Sequence, residues 1–259
     1  MFSLTISPQE VFGFTAILFR VSGIMVFAPF FNSGAIPVQV KVIVPLVLAL
    51  TLAPLIPTAQ VNADWGLVQG FVAILGELLV GMVLGLTVSF LFAGFQMAGQ
   101  IVSFQLGFSI VNVIDPQTSV QTSVISILHN FLGLIFFLIL DGHHWLLRAV
   151  CDSLSYLPVG GVHLKGPLVE GVLGLSSQIF VAGLQIAAPV VAATVIADVL
   201  TGIIGRAAPQ INILIVGMPV KTLVGLASMS IAFYFLPALF ARYFVDLAHT
   251  IFSILRGMA

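Results

Sequence analysis

Charge is what this sequence has least of. Asp, Glu, Lys and Arg make up 7% of its 259 residues, against 60% hydrophobic residues and 22 Phe. A soluble domain carries roughly a quarter of its residues charged, so this chain could not cover a water-facing surface. It reads as an integral membrane protein, long enough for about six spans of roughly 20 residues with short connections. A net charge of −1 supplies no basic field to hold nucleic acid. Cys151 is the lone cysteine, which excludes an internal disulfide and a Cys-rich metal site; it is expected to be a small buried hydrophobe.

Other absences narrow the function. The opening MFSLTISPQEVFGFT has no basic region before Glu10 and Arg20, so a cleaved signal peptide is not expected. The address that fits is a membrane entered co-translationally, such as a bacterial inner membrane. There is no His-Glu-x-x-His, no P-loop, no Gly-x-Ser-x-Gly and no paired acidic motif, so no enzyme and no cofactor are expected. His143-His144 beside Asp141 reads as an interfacial polar patch next to Trp145. A metal there would need a further ligand, and none is expected to bind. Soluble domains, charge blocks, low-complexity linkers and strict repeats are also missing.

What is present is a series of apolar runs, near 11–31, 38–56, 65–95, 124–140, 168–197 and 222–241. They are continuous rather than alternating, which excludes a transmembrane barrel and predicts an all-α membrane protein. Plain lipid-facing spans do not account for everything. Pro45 and Pro189 fall inside runs, where proline kinks or breaks a helix. Arg20, Glu77 and Asp198 lie within runs or at their edges, and a charge at the bilayer centre costs about 2.5–3.5 kcal/mol on insertion scales. Such groups either line a transport pathway or pack against protein. Gly81 and Gly85 form a small-xxx-small pair that lets helices approach closely.

Two stretches change character. Residues 96–123, QMAGQIVSFQLGFSIVNVIDPQTSVQTS, are rich in Gln, Ser and Gly. Lipid does not tolerate a polar, glycine-broken backbone. The stretch is either a loop projecting into a pore or an ordinary extramembrane loop, with Asp115-Pro116 as a turn or cap signal before a helix. Residues 205–221, GRAAPQINILIVGMPVK, carry Arg206 and Lys221 at their ends. Pro209 and Pro219 are expected to break helices on either side of Gln210-Ile211-Asn212. The apolar residues 213–216 suit a hairpin tip docked on something, and the cations favour the cytoplasmic side.

Several pieces recur in a known order and spacing: Arg20-Val-Ser-Gly23, Ile36-Pro37, Glu77-Leu-Leu-Val-Gly81, Ala98-Gly-Gln, Gln105-Leu-Gly-Phe and Asp115-Pro116. The most specific is Arg206-Ala-Ala-Pro-Gln-Ile-Asn212, followed by Gly217, Pro219 and Lys221. Together they resemble the FliR family of flagellar export-gate proteins, whose type III secretion relatives are the SctT proteins. The resemblance covers nearly the whole chain; Phe108, where Leu is common, is a mild variant.

The resemblance implies helical hairpins with broken helices: a FliP-like part over 1–180, with a pore-loop segment near 96–123, fused near 176–185 to a FliQ-like hairpin over 181–259 with its tip near 205–221. It implies a ring closed with FliP-type and FliQ-type subunits in the bacterial inner membrane at the flagellar basal body. The ring would pass unfolded export substrates, with an FlhB-type protein on the cytoplasmic side. On that pattern Phe104, Gln105, Phe108, Ile110, Val111, Asp115 and Pro116 form the plug or constriction, sealed by dewetting between bulky apolar side chains. Arg20, Glu77 and Asp198 become intersubunit or buried polar contacts. Arg206, Pro209, Gln210, Asn212, Pro219 and Lys221 become assembly or gating contacts at the cytoplasmic tip. The alternative is a self-contained secondary transporter or channel with broken helices at midplane, using Glu77, Asp198 and His129 as coupling residues.

Overall fold

A computed structural model describes residues 7–32, 36–55, 65–108, 123–162, 166–210 and 212–258. Among them there is no strand, and the helices are α1 Pro8–Phe27, α2 Pro29–Asn32, α3 Val38–Leu52, α4 Leu67–Gln105, α5 Val124–Ile139, α6 Gly142–Tyr156, α7 Gly166–Ala207 and α8 Ile213–Met258. The start and stop of α1 follow from local chemistry. Ser7 and Glu10 form a capping box, with the Ser7 N–H donating to Glu10 Oε2 at 2.8 Å and the Glu10 N–H to Ser7 Oγ at 3.3 Å, and Pro8 occupies the first turn. The helix ends at Ala28, at φ −68° and ψ 124°, because Pro29 disfavours a helical conformation in the residue before it.

Four of these helices are long and apolar enough to cross a membrane, or up to five if α5 and α6 form one broken span. That differs from six runs of similar length. The third run does not stop at Phe95: α4 continues to Gln105 for 39 residues, about 58 Å at 1.5 Å per residue. Phe95, Ala98, Gly99, Val102, Ser103 and Leu106 are all buried, which is the three-four spacing of an apolar helix face. The glutamines that suggested a loop lie on or near its other side. Likewise α7 runs past Asp198 to Ala207, and α8 continues through the C-terminal stretch. Pro45, Pro189, Pro219 and Pro237 all lie inside helices. The second run yields only the 15-residue α3. Cys151 is exposed on α6 rather than buried.

The chain forms two compact units, interleaved in sequence. The first comprises residues 1–90, 141–175 and 246–259. Its centre is a glycine-mediated contact between α1 and α4. A Cβ at Gly81 would stand 1.9 Å from the Arg20 carbonyl oxygen, and one at Gly23 would stand 2.7 Å from that of Leu78. The backbones therefore touch, as the small-residue spacing of Gly81 and Gly85 anticipates. Ser89 Oγ donates to the Phe27 carbonyl at the end of α1.

The second unit comprises residues 91–140 and 176–245. Phe92, Phe95, Phe137, Phe240 and Phe244 make a chain of edge-to-face ring contacts, with Phe95 and Phe240 centroids 4.9 Å apart. A second cluster gathers Val102, Leu106, Ile125, Ala187, Val190 and Met229. Within this unit α7 and α8 lie antiparallel. Tyr243 Oη donates to Gln185 Oε1 at 2.5 Å, Ser228 Oγ to the Pro189 carbonyl at 3.0 Å, and Lys221 Nζ to Asp198 Oδ2 at 2.6 Å.

Candidate functional site

Helix α4 ends at a glycine. The Leu106 N–H donates to the Val102 carbonyl at 2.9 Å, the Gly107 N–H to Phe104 at 3.1 Å and the Phe108 N–H to Ser103 at 3.1 Å. Gly107 has φ 84°. This is a Schellman stop, whose left-handed residue is free of steric cost only for glycine. The stop sorts the neighbouring side chains. Leu106 is buried in the second unit and Gln105 is half-buried, whereas Phe104 is 72% exposed and Phe108 49%. Two aromatic rings thus stand clear of the protein at the head of the segment 109–122. Ile110, Val111, Asp115 and Pro116 lie outside the described residues.

The hairpin turn is shorter than its sequence signal. Helix α7 ends at Ala207 and α8 begins at Ile213. Pro209, Gln210 and Asn212 are exposed in the turn, and the Asn212 carbonyl accepts from Ile215 and Val216 at 3.1 and 3.3 Å. Asn is favoured immediately before a helix. Pro219 does not break the chain but sits in the second turn of α8. The apolar patch is the first turn of that helix, with Ile215 70% and Val216 50% exposed. Arg206 is exposed in the last turn of α7, where a cation complements the carbonyl end of the helix. Asp198 and Lys221, which come from different sequence groupings, form one ion pair at 2.6 Å.

Arg20 and Glu77 are both 0% exposed and bind each other inside the first unit. Arg20 Nε and Nη2 each lie 2.5 Å from Glu77 Oε2. Nη1 donates to Ser153 Oγ at 2.9 Å and Nη2 to the Leu157 carbonyl at 3.0 Å. The second Glu77 oxygen accepts the Gly160 N–H at 3.0 Å. Gly160 has φ 77°, and a Cβ there would stand 2.0 Å from the Trp65 ring. The pair therefore ties α1, α4, α6 and the Leu157–Gly161 turn together. The LPVGG stretch, residues 157–161, reads from sequence as a turn, but neither its contact with the pair nor that of Ser153 does.

Asp141, His143 and His144 place their ligand atoms within 4.8 Å of one another, and His144 Nδ1 is 3.1 Å from Asp141 Oδ1. The cluster sits at the N-terminus of α6 without a side-chain capping bond, where the positive end of the helix dipole opposes a cation. Asp141 and His144 are exposed. The arrangement is a polar patch at the break between α5 and α6, where Asp141 takes φ 54°. His129 Nδ1 lies 3.0 Å from the Ile125 carbonyl and its ring packs on Phe233 at 5.5 Å.

Comparison with known proteins gives a consistent result. Residues 11–247 match the family described as bacterial export proteins, family 1. The chain is 31% identical over 236 residues to "Flagellar biosynthetic protein FliR" of Buchnera aphidicola subsp. Schizaphis graminum, covering 91% of this chain and 89% of that one. It is 30% identical over 218 residues to the protein of the same name from Escherichia coli strain K12, covering 82% and 81%. The Bacillus subtilis strain 168 protein of that name is 31% identical over 214 residues, covering 80% and 81%.

Proposed function

The chain belongs to family 1 of the bacterial export proteins, and from that membership we propose that it is a structural subunit of a flagellar export gate. The match over residues 11–247, nearly the whole chain, carries this reading. In it, the chain assembles with FliP-type and FliQ-type subunits in the inner membrane at the flagellar basal body, and an FlhB-type protein adjoins the cytoplasmic side. Residues 1–180 are the FliP-like part and 181–259 the FliQ-like hairpin. The gate conducts unfolded flagellar proteins, with energy supplied elsewhere in the apparatus.

Its physical task is to hold a seal against small ions while opening for a polypeptide. Apolar rings that exclude water from a constriction do this, and the exposed Phe104 and Phe108 beside the Schellman stop support that role. Replacing both with Ala in the assembled gate should make the membrane leaky to ions while export continues; unchanged resting conductance would remove the plug from the reading. Affinity purification of tagged chain from detergent-solubilised membranes, with native mass spectrometry, tests the assembly. The expected product carries several copies of two other small apolar proteins. A chain recovered alone and stable would overturn it.

The transporter reading gains no support. Both Glu77 oxygens are engaged, Asp198 is paired with Lys221 and His129 Nδ1 is bonded to a backbone carbonyl. Glu77 thus has both oxygens engaged, and Asp198 already faces a cation.

A further inference from the structure

We propose that Thr222 and Gly225 of α8 are positioning residues for the stretch 104–108: they clamp Leu106 at its centre. The inference rests on the reading of Phe104 and Phe108 as part of the plug, and it names what holds those two rings in place. All the residues concerned belong to the second unit.

Two contacts meet at Leu106, one on its backbone and one on its side chain. The Schellman turn uses the carbonyls of Val102, Ser103 and Phe104. The Leu106 carbonyl lies beyond the last of these, at a helix end whose final carbonyls need partners from elsewhere. Thr222 Oγ lies 3.2 Å from it, and 2.9 Å from the Met218 carbonyl of its own helix. One hydroxyl hydrogen therefore has two acceptors, one local and one on Leu106.

The side chain of Leu106 is 4% exposed and fills the space where residue 225 has no side chain. A Cβ at Gly225 would stand 2.0 Å from Leu106 Cδ2 and 3.0 Å from Thr194 Cγ2. Thr194 is itself 0% exposed. Its hydroxyl bonds the Val190 and Val191 carbonyls at 2.9 and 3.0 Å, which leaves its methyl for the leucine seat. Glycine inside a helix costs about 0.5–1 kcal/mol relative to alanine; here the missing methyl is the volume that Leu106 occupies.

Phe104 and Phe108 on either side are exposed, so Leu106 is the only residue of the four from Phe104 to Gly107, or of Phe108 itself, that is buried. Between Phe104 and Phe108, Leu106 is therefore the residue buried against the hairpin. Beside the clamp, Lys221 joins Asp198 and fixes α8 against α7. A displacement of α8 relative to α4 must pull on Leu106, and through it on the two phenylalanines.

The assembled gate in planar bilayers tests this by resting ion conductance at matched complex levels, with Phe104→Ala/Phe108→Ala as the open reference. Thr222→Val keeps the side-chain shape and removes the hydroxyl. It should shift the closed-to-open balance by up to about fivefold, the size of one neutral hydrogen bond, since the Met218 carbonyl shares the hydrogen, and Thr222→Ser should restore the seal. Gly225→Ala and Leu106→Ala should each leak, the first by filling the seat and the second by vacating it, and their double variant no more than the leakier single, because each removes the same Leu106 contact. If the phenylalanine variant leaks but Thr222→Val seals like the parent, the clamp is wrong and the plug stands. If the phenylalanine variant also seals, the plug reading fails and takes the clamp with it. Should Gly225→Ala prevent assembly, the Val and Ser variants at Thr222 decide alone.

Discussion

A guanidinium at 0% exposure, on a helix apolar enough to cross a membrane, must be neutralised and fully bonded within the protein. Arg20 achieves this with Glu77, Ser153 and the Leu157 carbonyl. Removing one partner of a buried pair leaves the other charge uncompensated, at a cost of about 3–5 kcal/mol, whereas replacing both by apolar side chains is often neutral. Arg20→Met should therefore sharply lower the thermal unfolding temperature of the detergent-solubilised chain. Arg20→Met/Glu77→Leu should recover most of the loss. A double variant less stable than the single would show that the pair supplies more than mutual neutralisation. Sequence exposed the two charges because each stands alone, with no other charged residue near it in an apolar run. Ser153 and Gly160 stayed hidden because a serine and a turn glycine are unremarkable until an arginine and a glutamate meet them in space.

At the scale of the element, glycine has opposite meanings at different positions. Gly81 brings α4 against the backbone of α1, with only 1.9 Å between its absent Cβ and the Arg20 oxygen. Gly202 on α7 has open space where a Cβ would go. Gly81→Ala gains about 0.5–1 kcal/mol of helix propensity but must push a backbone aside, and overpacking costs about 1–3 kcal/mol. Gly202→Ala collects the gain alone. Unfolding of the isolated chain should show the first variant less stable than the parent and the second slightly more stable; equal effects would mean the α1–α4 contact is looser than described. The close pair was visible in the Gly81–Gly85 spacing. The extent of α4 was not, because glutamine density suggests a loop until the buried positions from Phe95 to Leu106 are seen to share one helical face.

At the scale of the whole molecule, the two longest helices expose more than they bury. Only 33% of the most apolar stretch of α7 and 22% of that of α8 is buried within the chain. Those helices run to 42 and 46 residues, about 63 and 69 Å, against a hydrocarbon core of about 30 Å. Neighbouring subunits as well as lipid fit such surfaces. Polar groups at the tip are then the place where contact is lost without loss of folding. The Asp198–Lys221 pair is partly exposed and worth about 0–1 kcal/mol at most. Alanine at Arg206, Gln210 and Lys221 should leave the stability of the isolated chain nearly unchanged while reducing gate assembly or export. Intact assembly and intact export together would remove these residues from the gate's working surface.

The sequence alone determined the solvent and the class. So little charge and such long continuous apolar runs permit a helical membrane protein and little else, and the order of short motifs placed the chain in its family. Tertiary structure decided how far each helix runs and which charges meet. Helix ends depend on a hydrogen-bond pattern such as that at Gly107, not on local polarity. The meeting of Arg20 with Glu77, or of Leu106 with Gly225, depends on contacts between residues 57 and 119 positions apart in the chain. Apolar periodicity selects a face of a helix; only packing selects what that face meets.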